Sequence, residues 1–255
     1  MKKIAFFTIV CFALMAACKK TNPEVTNTER QNFISTEPSI SLLFSNGNSS
    51  DLSNNRRRVV LHGATFTTDR FGNANSALYF KGWNNGDPDY IDFPTLYELD
   101  STDEISISMW LKVDSTRPSG NTPFTLIPDD PYDRLNCHVN YSPYAAFWDN
   151  GDIYGSGRIY AARADSYEWD HYVFIKSKIH SKMELYINDS LYASSNSYDD
   201  IDNKHRTFRL GGGAGGLGMP AGDQYFAGWM DDIQIYSKAL TAAEVDSIYN
   251  GITSN

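Results

Sequence analysis

The chain has 255 residues, 41% hydrophobic and 14% aromatic against 21% charged, a balance that supplies a sizeable core and excludes a disordered or fibrous chain. Its formal net charge of −9 at pH 7 argues against nucleic acid as a partner, because an acidic surface repels phosphate. Abundant Tyr (16), Phe (14) and Gly (18) favour strands and turns over a helical bundle, and the length suits one all-β domain rather than two.

At the N-terminus, Met1-Lys2-Lys3 and the apolar run Ile4–Ala16 form a basic segment and a hydrophobic segment too short to span a bilayer, so residues 1–17 are expected to be a signal peptide. The following Leu14-Met15-Ala16-Ala17-Cys18 resembles the lipobox of bacterial lipoproteins, with Met15 less usual than Leu or Val at its position. That resemblance implies a lipidated Cys18 as the mature N-terminus. It also implies a lipid anchor as the protein's sole hold on the membrane, at a bacterial envelope membrane and specifically the outer one. Residues 18–38 are polar, lack apolar periodicity and read as a flexible tether; residues 39–255 read as the domain. Cys11 leaves with the signal and Cys18 goes to lipid. Cys137 alone then remains, which excludes a disulfide or a thiolate metal cluster within the mature chain, and its place in the alternating run Leu135–Tyr141 marks it as a packing thiol.

Within the domain, Ser41–Phe44 predicts a first strand, the polar cluster around Asp51 a turn, and Val59–Phe66 one second strand. Tyr90–Phe93 is the next. Ile105, Ile107, Met109, Leu111 and Val113 alternate with polar positions and predict a strand with that set buried. Leu135–Tyr141, Tyr144–Trp148 and Ile153–Ala161 are expected strands joined by turns, with Trp148-Asp149-Asn150-Gly151 also readable as a hairpin tip. Tyr167–Lys176 and Lys182–Leu191 form a clearer pair, and Phe208–Gly211 precedes a glycine tract that lacks the lysine and helix start of a phosphate loop. The chain closes with alternation over Ala227–Ile235 and then Thr241-x-x-Glu244, a capping box that opens a short helix.

The closing stretch carries a resemblance. Phe226, Gly228, Met230, Asp231, Asp232, Ile233, Ile235, Tyr236, Ala239, Leu240, Thr241, Glu244 and Tyr249 resemble the C-terminal signature of laminin-G-like, pentraxin-like domains of the concanavalin A-like lectin and glucanase group. Arg70-Phe71-Gly72 through Gly82, the strand ending in Trp110-Leu111-Lys112, and Trp169 with Leu185-Tyr186-Ile187-Asn188 resemble further segments of that family. The resemblance implies an antiparallel two-sheet jelly-roll sandwich with a short C-terminal helix. It also implies paired terminal strands and, in some members, one structural Ca²⁺; Asp51, Asp231 and Asp232 are the acids that could share it here.

No Glu-x-Asp-x-x-Glu run of a glucanase is present, nor the Arg-x-Glu-x-Arg and Gln-x-His strands of jelly-roll alginate lyases, so no catalytic residues are assigned and an enzyme is not expected. Binding of a polysaccharide or glycoconjugate needs aromatic faces flanked by amide, carboxylate and guanidinium groups. Tyr132, Arg134, Asn136, Tyr144, Trp148, Asp149 and Arg158 supply these types in one segment, and Trp83 lies in a polar loop. Two alternatives stand beside lectin-like binding: a protein-binding or structural adhesive module, and a hydrolase or lyase with an unfamiliar acid pair.

Overall fold

Fifteen strands and one helix form among the described residues: β1 (Ile40–Leu42), β2 (Val60–His62), β3 (Thr65–Thr67), β4 (Ala77–Lys81), β5 (Tyr90–Phe93), β6 (Glu104–Val113), β7 (Phe124–Ile127), β8 (Arg134–Tyr141), β9 (Tyr144–Gly151), β10 (Arg158–Ala161), β11 (Asp170–Ser177), β12 (Lys182–Ile187), β13 (Ser190–Ser195), β14 (Thr207–Leu210), β15 (Ala227–Tyr236) and α1 (Ala242–Gly251). The computed structural model describes residues 37–83, 87–93, 104–116, 123–127, 134–141, 144–151, 158–196, 207–212 and 225–251. An eight-stranded sheet runs β13-β12-β11-β6-β15-β4-β3 with β1 added on β15, and a seven-stranded sheet runs β10-β9-β8-β7-β14-β5-β2, all pairings antiparallel. The expected all-β two-sheet sandwich with a short C-terminal helix is the observed fold. Period-two alternation drives it: Ile105, Ile107, Met109, Leu111 and Val113 all enter the main core, facing Phe124, Leu135, Cys137 and Phe208 of the other sheet.

Three local readings change. Val59–Phe66 is two strands, not one, because Gly63 at φ 75° turns the chain from β2 in one sheet to β3 in the other. Trp148–Gly151 lies in β9, Trp148 and Asp149 paired with both β8 and β10 and Asn150 and Gly151 with β8, and is not a hairpin tip. In β15 the alternation breaks at Asp231-Asp232: register with β6 shifts between Asp231 and Gln234, Asp232 has φ 45°, and the phase resets so that both Met230 and Ile233 reach the core.

The helix covers part of the eight-stranded sheet's other face. Val245 and Ile248 pack with Val173, Ile175, Tyr186, Tyr236 and Leu240 in a second cluster. Its start forms the expected reciprocal cap: the Thr241 amide donates to Glu244 Oε2 (2.9 Å) and the Glu244 amide to Thr241 Oγ1 (3.3 Å). Lys238 then pairs with the remaining Glu244 oxygen at 2.7 Å.

Candidate functional site

The helix lies on the eight-stranded sheet, and register decides what shares the outward face of the seven-stranded one. Val60, Asp92, Arg209, Thr125, Asn136, Asp149 and Arg158 are cross-strand partners in one unbroken row over β2, β5, β14, β7, β8, β9 and β10. In the neighbouring row of register, Leu61, Ile91, Leu210, Phe124, Cys137, Trp148 and Ile159, the residues Ile91, Leu210, Phe124, Cys137 and Ile159 are all core residues. From Asp92 to Arg158 the first row is thus polar in sequence and alternates with an apolar one.

Around Arg209 the stripe becomes a stacked ladder. The guanidinium grips Asp92 with two bonds, Nε to Oδ1 at 2.7 Å and Nη2 to Oδ2 at 3.0 Å. It lies over the Tyr90 ring at 3.9 Å, and His62 stacks on the far side of Tyr90 at 4.3 Å and 21°. On the other flank Arg209 bonds the Tyr225 side chain, and Tyr225 stacks against Trp83 at 5.5 Å and 31°. Gly212 makes this possible: a Cβ there would sit 2.6 Å from the Tyr225 ring, so only glycine lets the ring lie against the backbone at this point. Burial lowers the Arg209 pKa, but the Asp92 bonds outweigh it and raise it overall, while burial raises the Tyr225 phenol; the one stays cationic and the other protonated. Trp83 remains 37% exposed, and His62 and Asp92 keep 39% and 30% of their side-chain surfaces. The ladder thus offers the outer ring of Trp83, the His62 imidazole and the rim of an ion pair to solvent.

Toward β8 the same face sinks. Asn136, His138 and Asn140 are buried, and Asn140 exchanges bonds with the Ser166 backbone, donating at 2.6 Å and accepting at 3.2 Å. At the far edge Tyr160 is 37% exposed.

The chain's family can now be stated from its sequence. The sequence profile described as the concanavalin A-like lectin/glucanases superfamily, of the Laminin_G_3 type, matches residues 85–246. The chain belongs to that superfamily. No curated protein matches it. Among solved structures, this concanavalin A-like domain is similar to the binding domain of botulinum neurotoxin DC in complex with SialylT, at 13% identity and a TM-score of 0.65 over 87% of this chain and 52% of that one. It is also similar to a botulinum neurotoxin type C structure concerned with interaction with two ganglioside molecules (12%, TM-score 0.64, 88% and 53%). A third is domain 4 of AbnA, an extracellular arabinanase from Geobacillus stearothermophilus, in complex with arabinotriose (19%, TM-score 0.63, 83% and 98%). The chain spans about half the length of the toxin binding domains, and at these identities the likeness is one of fold.

Of the residues singled out in the sequence, the superfamily fold brings Asn136, Asp149 and Arg158 into one row and puts Arg134 opposite Gly151 two positions along β8. Trp148 takes a register position between Cys137 and Ile159, and Tyr144 pairs with Tyr141 at the other end of the hairpin. Tyr132 lies outside the described residues. Trp83 stands apart from these, in the ladder. Arg209, Asp92, Tyr90, His62 and Tyr225 were not anticipated. Their signal was present only as a charged or polar residue between two apolar ones, as in Ile91-Asp92-Phe93 and Phe208-Arg209-Leu210.

The three acids considered for Ca²⁺ do not meet, and among the described residues no group of three His, Cys, Asp or Glu could hold a metal ion. Asp51 is enclosed by donors: the Ser41 amide (3.0 Å), the Ser53 amide and hydroxyl (2.9 Å each) and the Arg57 amide (2.9 Å). Asp231 and Asp232 both hold Arg70, Asp232 at 2.6 Å. One guanidinium between two carboxylates in a buried site leaves an excess negative charge. Burial and the neighbouring Asp232 accordingly push Asp231 up to about 8, against the pull of Arg70. This donor set fits an arginine rather than a calcium ion. Above Arg70, Trp110 lies at 4.4 Å and itself stacks on Tyr249 of α1 at 5.5 Å and on His171 at 5.1 Å. His171 is fully buried with Ser108 Oγ at 2.8 Å from Nε2, and burial followed by the Arg70 charge lowers its pKa to about 3. Cys137, also buried, has its thiol pushed well up by desolvation, as suits a packing residue.

Proposed function

We propose that this domain is a non-catalytic glycan-binding module that takes a polysaccharide or glycoconjugate on the outward face of its seven-stranded sheet. The observation that carries the proposal is the ladder Trp83, Tyr225, Arg209, Tyr90 and His62, part-exposed and joined to Asp92. Sugar rings present apolar C–H faces and peripheral hydroxyls, which match ring faces interleaved with a charged donor and acceptor. That solved structures of similar fold were obtained with SialylT and with arabinotriose supports the same reading. The same row of register continues through Asn136, Asp149 and Arg158 to the edge strand β10.

Affinity electrophoresis against a panel of neutral and acidic polysaccharides tests this. Retardation on at least one glycan, lost in Tyr225→Ala, is the expected result; no retardation on any glycan would refute it. A protein-binding module is the second reading, favoured by the exposed Leu191 and Tyr192 on the edge strand β13 and Ile179 in the β11–β12 turn. Release of reducing ends from the same panel would instead identify a hydrolase. Anchoring through Cys18 at the outer membrane completes the proposal: metabolic labelling with a radioactive fatty acid should mark the wild-type chain and not Cys18→Ala.

A further inference from the structure

The loop before β2 carries three consecutive arginines, Arg56, Arg57 and Arg58, in a chain whose net charge is −9. They border a cavity of about 570 Å³ whose other walls include Asn48, Ser49 and Ser50. Asp51, the acid of this loop, also lines the cavity and offsets at most one of the three arginine charges, with both its oxygens turned onto Ser41, Ser53 and the Arg57 amide. Those bonds set the loop's course. Arg56 is held at φ 46° with its amide donating to the Ser53 carbonyl, a conformation that a non-glycine residue adopts only when its surroundings impose it. Arg56 and Arg58 are exposed, and neither has an ion-pair partner among the described residues.

A guanidinium stays charged at any physiological pH and presents a planar fork of donors suited to carboxylate, sulfate or phosphate. Two such forks beside two hydroxyls and an amide match an anionic group on a hydroxyl-bearing ring. The volume accommodates a sugar residue, and the concave shape favours a discrete group over a flat lipid surface. We propose that this pocket binds an acidic sugar residue, one bearing a carboxylate, sulfate or phosphate, at a site separate from the ladder. The glycan carrier rests on the reading above; the anion binding does not.

The experiment compares polygalacturonate with its fully methyl-esterified form, using the purified full chain and recording the ratio of the two affinities. The acid form binds at least tenfold more tightly, and Arg56→Gln/Arg58→Gln brings the ratio near one. Lys178→Gln/Lys182→Gln, an equal charge change on the β11–β12 hairpin, leaves it unchanged. Tyr225→Ala weakens both forms alike and so reports on the ladder alone. An unaltered ratio in the arginine variant overturns the proposal. So does binding to phosphatidylglycerol vesicles, or to inorganic sulfate, without any preference for the acidic polysaccharide.

Discussion

Two arginine clusters stand on opposite sides of this sandwich with almost the same parts. Arg70 is held by Asp231 and Asp232 and stacks under Trp110, which leads to His171 and Tyr249. Arg209 is held by Asp92 and stacks on Tyr90, which leads to His62, with Tyr225 and Trp83 on its other side. What separates them is cover. The Arg70 side chain is 5% exposed beneath Phe71 and the C-terminal helix, whereas Arg209 and Asp92 keep 17% and 30% of their side-chain surfaces on a sheet that no helix crosses among the described residues. Similar chemistry thus serves cohesion where it is closed and, under the function proposed above, recognition where it is more open, since a desolvated charge pair is costly to break and a more exposed one is cheaper to rearrange.

The sharpest way to break this contrast is to exchange the two losses. Arg70→Met leaves two buried carboxylates without their cation and is expected to destabilise the fold by about 3–5 kcal/mol in urea denaturation, with glycan affinity of the remaining folded fraction unchanged. A stable Arg70→Met protein that no longer binds would invert the assignment. The closed cluster also carries a pH signature. Because His171 has a folded pKa near 3, below its unfolded value, its contribution is complete above about pH 6.5 and is lost as pH falls toward 3. Relative to His171→Gln, the wild type should therefore lose about 3 kcal/mol between pH 7 and pH 4. A pH-independent difference between the two proteins would show that the imidazole is not held neutral.

On the open side the expected effects move from stability to affinity. Arg209→Ala should weaken glycan binding about tenfold or more, which is about 1.4 kcal/mol, while costing about 1 kcal/mol of stability. An Arg209→Ala protein that unfolds at room temperature would mean that this pair, too, is structural. Smaller again is Trp83→Ala, a part-exposed stacking partner, for which about a fivefold loss of affinity and an unchanged melting temperature are expected. Chelation should have no effect on either cluster: with the oxygens of Asp51, Asp231 and Asp232 engaged by donors, EDTA is expected to leave the melting temperature where it was. A drop of several degrees would place a bound cation elsewhere in the chain.

Legibility in the sequence followed the same division. The closed side could be read because local signals specify it: the alternation through Ile105–Val113, the Thr241/Glu244 cap and the strand that holds Asp231-Asp232 all lie within short windows. Even there the bulge was hidden, since two consecutive aspartates look like ordinary alternation until one arginine, 161 residues away, draws on both. The open side depends on which strands pair. Asp92 and Arg209 meet because β5 and β14 are neighbours, although 117 residues separate them. Nothing in either tripeptide announces the partner. Trp83 could be suspected, because a tryptophan among Asn, Gly and Asp has no core to enter. Trp148 drew the same suspicion from composition, and only the pairing of β9 with β8 and β10 reveals a register position shared with Cys137 and Ile159.

The pairing of β1 with β15 has a mechanical side. Ile40–Leu42 runs antiparallel to residues 233–235, Ile40 opposite Ile235 and Leu42 opposite Ile233, with the Ser39 amide donating to the Ile235 carbonyl at 2.7 Å. The first strand is thereby bonded to the central region of the larger sheet. A pull on the N-terminal end along the strand would load these bonds together in shear rather than unzip them one at a time. If the chain hangs from a membrane by that end while the opposite sheet holds a ligand, tension crosses the sandwich through its best-packed strands. The short first strand is then the clasp that sets how much load the attachment bears.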